Sequence, residues 1–395
     1  MKNIAPSEGP PLRSAVTSVL SANGRNEVRV RVVIAPDSFK GSASATQVAS
    51  ALADGWRDEY PDDTLVPLPM ADGGEGTLDA FVAAVPDALR MPVTVDGPDG
   101  REHDTFWVRL PDGTGVVELA ATSGLPLMLE LDPMGADSRG FGQAIAAALD
   151  DGVEALLLAI GGSASTDGGA GVLGALGARL TDRHGDPIAG GNTGLHALTG
   201  VDLDRLRPLP SGGAIVLTDV RSPLLGSSGS AAVFGPQKGA DADQVTQLEE
   251  GLRRFAARVP GDTDAPGAGA AGGVGFGLQV WGARMRSGAE AVARLIGLDE
   301  AVADADLVIT GEGRFDTQSA EGKTVSTVLR IAADTDTAAG LVAGSIVADT
   351  SAFRAAVDLS RLAGDGALAY ADPLPWLREA GAGLARAVAG ASAGR

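Results

Sequence analysis

The chain has 395 residues, 31 basic against 51 acidic side chains, a net charge of −20, three histidines and no cysteine. This excludes a disulfide framework, a thiolate nucleophile, an iron–sulfur cluster and a cysteine-bound zinc, and the spacing of His103, His184 and His196 does not make a histidine metal helix. The acid excess argues against nucleic acid as a partner, and no apolar run approaches the ~18 residues of a membrane span.

Residues 1–28 mix Pro, Ser, Gly and isolated charges without a period, so they read as the flexible tail of a cytoplasmic protein. Val28 to Ala35 is β-branched and apolar and predicts a buried strand ending at Pro36. Ser42 or Ser44 can cap a helix reaching about Tyr60, with Val48, Leu52, Gly55 and Trp56 on one face. Thr64 to Leu68 predicts a second strand. Asp72-Gly73-Gly74-Glu75-Gly76 then leads into a helix through Ala84. That order argues for an α/β fold with a doubly wound, Rossmann-like parallel sheet.

The pattern changes near residue 90. Met91 to Val95, Thr105 to Leu110 and Val116 to Leu119 are short strands separated by Asp-Gly turns, which is antiparallel chemistry. A helix over 138–150 and a strand from Ala155 to Ile160 return to the α/β style, followed by a strand from Ala214 to Leu217. From Glu290 the rhythm resumes, with a helix, a strand from Leu307 to Thr310, a helix from about Lys323 and a strand from Gly340 to Ser345. The expected organisation is a core of 29–88 plus 290–395, joined by part of 137–178. An inserted α+β domain spans 89–289. The cleft between the two domains is the expected site.

In doubly wound sheets ligands sit beyond the carboxyl ends of the strands. The loops there carry Asp37, Ser38 and Lys40; Asp72, Gly73, Gly74 and Glu75; Gly161, Gly162, Ser163, Thr166, Asp167 and Gly168; Asp219; and Glu312, Arg314 and Asp316. Only four basic residues are lysine (Lys2, Lys40, Lys238 and Lys323), and the last three stand beside glycine. Carboxylates, cations and backbone N–H groups at one sheet edge suit an anionic substrate, Mg²⁺ on oxygen ligands and phosphoryl transfer. Each also has a structural reading. Asp72, Glu75 and Asp167 could cap helices, and Arg314 could simply pair with Asp316.

Two generic motifs fail. Thr317 to Thr324 lacks the first glycine of a P-loop and the strand before it. Gly267-Ala268-Gly269-Ala270-Ala271-Gly272 matches the dinucleotide glycine pattern but follows Pro266 and not a strand.

Several longer stretches resemble the bacterial, two-domain, non-P-loop glycerate kinase family. They are Val33-Ile34-Ala35-Pro36-Asp37-Ser38-Phe39-Lys40-Gly41-Ser42, Pro69-Met70-Ala71-Asp72-Gly73-Gly74-Glu75-Gly76-Thr77, and Gly161-Gly162-Ser163-Ala164 with Asp167-Gly168-Gly169. Phe234 to Ala240, Pro266 to Gly273, and Gly311-Glu312-Gly313-Arg314 with Asp316, Gln318, Gly322 and Lys323 follow in the same order. The chain departs from the pattern at Thr166, Ser222, Arg221, Asp137-Ser138-Arg139-Gly140 and Thr324-Val325-Ser326-Thr327, and it matches poorly beyond about residue 346.

The resemblance implies ATP-dependent phosphorylation of D-glycerate to 2-phosphoglycerate with Mg²⁺, in a cytoplasmic enzyme that could form a homodimer. Under that implication Asp316 or Asp167 takes the hydroxyl proton, and Lys40 and Arg314 neutralise the substrate carboxylate and the moving phosphoryl group. Asp37, Ser38 and Asp72 also hold substrate. Gly73, Gly74, Glu75, Gly161, Gly162, Ser163, Thr166, Gly168, Lys238, Glu312 and Lys323 attend the nucleotide, and Asp219 and Asp72 hold the metal. The alternatives are a 3-phosphoglycerate product, an NAD(P)-linked hydroxy-acid oxidoreductase, and a non-catalytic sugar-acid sensor.

Overall fold

The computed structural model describes residues 18–20, 26–316 and 324–392. Contacts divide the chain into two units, one from both chain ends (up to Ala71 and from Val292) and one from Asp72–Ala291. In chain order the strands are β1 (Ser18–Leu20), β2 (Asn26–Val28), β3 (Arg31–Ile34), β4 (Thr64–Pro67), β5 (Leu89–Asp96), β6 (Glu102–Arg109), β7 (Thr114–Glu118) and β8 (Ala155–Ala159). They continue as β9 (Arg179–Thr181), β10 (Gly200–Asp202), β11 (Ala214–Leu217), β12 (Arg284–Arg286), β13 (Leu307–Phe315), β14 (Ala338–Ile346) and β15 (Ala355–Asp358).

The chain-end unit holds a five-stranded sheet in the order β15-β14-β13-β3-β4, every pair parallel. Side chains alternate across it, as the two-residue period of a strand requires. Val32, Ile34, Leu307, Ile309 and Val342 pack with helices Ala45–Glu59 and Leu374–Ser392. Val33, Val308 and Leu341, one residue out of phase, are equally buried, and helix Thr324–Asp334 packs on β13 and β14. This is the doubly wound, Rossmann-like arrangement expected. Ser44, not Ser42, caps helix Ala45–Glu59. Its Oγ accepts from the Gln47 N–H at 3.2 Å while the Gln47 side chain accepts from the Ser44 N–H at 2.9 Å. Such a cap contributes about 1 kcal/mol.

The middle unit holds a mixed six-stranded sheet, β12-β11-β8-β7-β6-β5. β5, β6 and β7 are antiparallel, and β7, β8, β11 and β12 run parallel. Two assignments made from sequence differ here. Helix Thr77–Ala84 belongs to this unit, because it packs on β6 and β7. The helix Arg139–Asp150 and β8 also belong here, not to the core. β8 is apolar on both faces because it lies between β7 and β11 in this sheet. Among the described residues no helix is long and apolar enough to cross a membrane.

Helices Ala45–Glu59 and Leu374–Ser392 cross backbone to backbone. A Cβ at Gly55 would overlap the Arg378 carbonyl, and one at Gly381 would overlap that of Leu52. Overpacking of this kind typically costs about 1–3 kcal/mol. Gly55→Ala should therefore destabilise the chain-end unit by about that much, read as a lower urea midpoint.

Candidate active site

In the chain-end unit, six expected residues lie at or just beyond the carboxyl ends of β3 and β13. The Asp37 N–H donates to the Gly311 carbonyl at 2.8 Å, so the loop after β3 is laced to the end of β13. The Asp37 carboxylate is fixed at both oxygens. Oδ1 accepts from the Ser38 N–H at 2.6 Å and Oδ2 from the Thr324 hydroxyl at 2.9 Å. Gly313 approaches the backbone of Phe39 and Lys40, where even a Cβ would lie 3.6 Å from the Phe39 Cα. Lys40 itself is exposed.

The stretch Gly311 to Phe315, expected as a loop, instead continues β13, because its backbone pairs with β14 as far as Phe315 opposite Ile346. Strand geometry then places Glu312, Arg314 and the following Asp316 on one side. Arg314 and Asp316 form an ion pair at 3.4 Å, with Arg314 two-thirds exposed. Lys323 and Gln318 lie outside the described residues.

In the middle unit, a second group forms around the ends of β8 and β11. The Gly161 N–H donates to the Gly73 carbonyl at 2.9 Å. The backbones touch so closely that a Cβ at Gly73 would overlap Leu217, and one at Gly161 would overlap Gly74. Asp72 Oδ1 accepts from the Gly74 N–H at 3.0 Å. Asp219 Oδ1 accepts from the Gly288 N–H at 3.1 Å, whereas Oδ2 is buried with no hydrogen-bond partner. Burial raises the Asp219 pKa, the neighbouring Asp72 charge adds to that, and hydrogen bonds from Ser287 and Gly288 oppose it. Two carboxylates beside tightly packed glycine backbone, one with an orphaned oxygen, offer hard oxygen donors. Glu75 is exposed in the same loop.

The hydroxyl-rich loop behaves differently from expectation. Gly161 and Gly162 keep surface exposure, but Ser163, Thr166, Asp167 and Gly168 are buried. Ser163 Oγ bonds the Ser165 carbonyl and hydroxyl at 3.3 and 3.2 Å. Asp167 accepts from Ser138 N–H and Oγ and from the Gly169 and Gly171 N–H groups, at 2.7–3.1 Å. A carboxylate so saturated organises the loop and is poorly placed as a base. Lys238 is likewise interior. Its Nζ donates to the Ser165 carbonyl, and Gly272 closes over the same atoms. Ser163, Asp167 and Lys238 thus brace the loop from its buried side, whereas the buried Thr166 Oγ1 has no hydrogen-bond partner. The glycine pattern at Gly267 to Gly272 serves that packing too, with the Gly168 N–H donating to the Gly272 carbonyl at 3.0 Å. It gives no support to a dinucleotide site.

Sequence reasoning missed Thr324, Asn192 and Glu118. Asn192 donates to the Thr166 and Leu248 carbonyls at 2.8 and 3.0 Å, bracing the loop. Glu118, at the end of β7, is 4% exposed and accepts from the Gly76 and Leu78 N–H groups at 3.2 and 2.9 Å. Burial pushes its pKa up to about 7, against those two donors and with a small contribution from Asp79 and Glu75. An acid ending the apolar run Val116-Val117 was the available signal.

The sequence matches the Glycerate kinase family over residues 32–389, which carries the likeness well past residue 346. It is 42% identical over 330 residues to the glycerate 2-kinase of Escherichia coli (strain K12), covering 81% of this chain and 86% of that one. It is 42% identical over 336 residues to the glycerate kinase of Bacillus subtilis (strain 168), covering 82% and 87%. A crystal structure from Salmonella typhimurium LT2, described as a glycerate kinase 2, superposes with a TM-score of 0.77 at 38% identity, over 92% of this chain and 99% of that one. The fold and these likenesses define an enzyme of the kinase class. The chain belongs to the glycerate kinase family.

Burial pulls the Lys238 ammonium down to about 7, with the Asp167 charge opposing. A depressed folded pKa means that the unfolded chain binds more protons between about pH 7 and 10.5, so stability rises with pH across that window and is lost as pH falls toward 7. Lys238→Met removes the titration while keeping the side-chain length. Between pH 7 and 9 the wild type should gain about 2 kcal/mol relative to this variant, measured by urea unfolding at both values.

Proposed function

We propose that this chain transfers the γ-phosphoryl group of ATP to the C2 hydroxyl of D-glycerate, giving 2-phosphoglycerate and ADP. The observation that carries this reading is the buried, unpartnered Oδ2 of Asp219 beside Asp72, next to backbone that only glycine can supply. The family supports the kinase chemistry, and the name of the E. coli relative supports the 2-position.

Mg²⁺ fits the residues present. It favours one or two carboxylates plus phosphate oxygens, and Asp219 and Asp72 supply that set. When bound it would neutralise charge on the nucleotide phosphates. Gly161 and Gly162 keep surface exposure and carry no side chain, so phosphate oxygens can come close there, while Gly73 and Gly74, whose backbone is engaged with Gly161 and Asp72, hold that segment in place. Glu75, Glu312 and Lys323 belong to the same nucleotide assignment. Ser163, Thr166, Gly168 and Lys238 support it by shaping the loop. Lys40 and Arg314 meet the carboxylate of glycerate and the charge that develops on the moving group. Asp37 and Ser38 orient the acid.

In the step itself the hydroxyl oxygen bonds to the γ-phosphorus as the bond from that phosphorus to the ADP oxygen breaks. Asp316 accepts the hydroxyl proton. Asp316 is preferred to Asp167 because Asp167 spends its oxygens on four donors. The oxidoreductase alternative loses its only glycine motif to loop packing.

An ADP-coupled assay on D-glycerate, L-glycerate and tartronate should show turnover with D-glycerate, and phosphorus NMR should identify the 2-phosphate. Binding without ADP formation would select the sensor reading. Asp316→Ala should lower kcat by about 10²–10⁴-fold, and a loss within about tenfold would remove it as the base. Asp219→Asn should raise the magnesium concentration needed for half-maximal rate by about tenfold or more, read from a magnesium titration of the rate.

A further inference from the structure

We propose that Glu118 is a positioning residue for the Asp72–Gly76 loop. The inference rests on the assignment of that loop to the metal–nucleotide complex. Helix Thr77–Ala84 begins at Gly76, which has no side chain with which to cap it. The first N–H groups of a helix need partners. Here the cap comes from 40 residues away in sequence, through the Glu118 carboxylate on the Gly76 and Leu78 N–H groups.

The placement matters for the loop. Glu118 lies opposite Ala159 across the β7–β8 pairing, and Gly161, two residues beyond Ala159, donates to the Gly73 carbonyl. The loop is thus anchored to two adjacent strands, at its start through Gly73 and at its end through Gly76 and Leu78. Gly74 and Glu75 sit between those anchors and Asp72 directly precedes the first, taking its aim from the Gly74 N–H.

Among the described residues no lysine or arginine pairs with Glu118. The charged groups that bear on it are Asp79, on the capped helix, and Glu75, in the loop. A carboxylate buried at 4% exposure with only two neutral donors is a costly way to hold a helix end. Serine or aspartate at the cap position would do so locally. What the distant carboxylate adds is a fixed link from the loop to the sheet that also carries Gly161 and Asp219.

Glu118→Gln keeps the size and one acceptor and removes the second. The variant should unfold within a few degrees of the wild type. Its KM for magnesium–ATP should rise about fivefold or more, with KM for D-glycerate changed less than about twofold, since the loss is confined to one loop. Glu118→Asp, which keeps the charge but falls short of the helix, should show the same selectivity and provides the test if the glutamine variant does not fold. Calorimetry with magnesium–ADP should show the matching loss of affinity in either variant. Amide exchange at Gly76 and Leu78 should accelerate. A folded variant whose magnesium–ATP KM and magnesium–ADP affinity both equal the wild-type values overturns the proposal, as does an equal rise in both KM values. If the wild type fails to phosphorylate glycerate, the functional reading falls, while magnesium–ADP binding and amide exchange still decide the role of Glu118.

Discussion

Backbone contact between the Asp72–Gly76 loop and the ends of β8 and β11 governs the middle unit. Gly73 lies against Leu217, Gly74 against Gly161, and Gly288 against the Asp72 carbonyl, with no space for a Cβ at Gly73, Gly161 or Gly288. Such contacts tolerate no side chain and set the spacing between Asp72 and Asp219. The Asp72 charge is close enough to bear on Asp219, one of whose oxygens is left without a donor. A tight backbone and an unsatisfied oxygen are two sides of one arrangement.

The hydroxyl-rich loop shows how little of a side chain's setting its sequence neighbours reveal. Ser163, Thr166, Asp167 and Lys238 look like contacts when read along the chain, because hydroxyls, an acid and an amine recur at glycine spacing. In three dimensions the polar atoms of Ser163, Asp167 and Lys238 are turned inward onto Ser165, Ser138 and the backbone, and the Thr166 hydroxyl is buried without a partner. Lys238 is buried where a charge is expensive, which is why its proton affinity falls.

Much of the fold was legible from periodicity. The strands at Arg31–Ile34, Thr64–Pro67 and Ala155–Ala159 and the helix Ala45–Glu59 all carry patterns that local physics dictates. Grouping them was harder. β8 reads as a core parallel strand, and nothing local says which of two sheets it joins, since pairing with β7 or with β3 would bury it equally well. The end of β13 was read as loop because Gly311-Glu312-Gly313-Arg314 has loop composition. Pairing with β14 overrides that composition. Motifs singled out Asp37 in the chain-end unit and Asp72 in the middle unit. They could not reveal Glu118 or Thr324, whose partners lie 40 and 287 residues away in sequence.

The division of the chain also bears on how the molecule assembles. β3 pairs with β13, and the Arg31 N–H meets the Asp306 carboxylate across a separation of 275 residues. Helix Leu374–Ser392 then seals the face of helix Ala45–Glu59. During synthesis, β3 therefore leaves the ribosome long before its neighbour exists, whereas Asp72–Ala291 has all six strands of its own sheet within one continuous stretch. Domains tend to fold as units while the chain emerges. The interrupted unit must wait, with β3 and helix Ala45–Glu59 uncovered, until helix Leu374–Ser392 has been made.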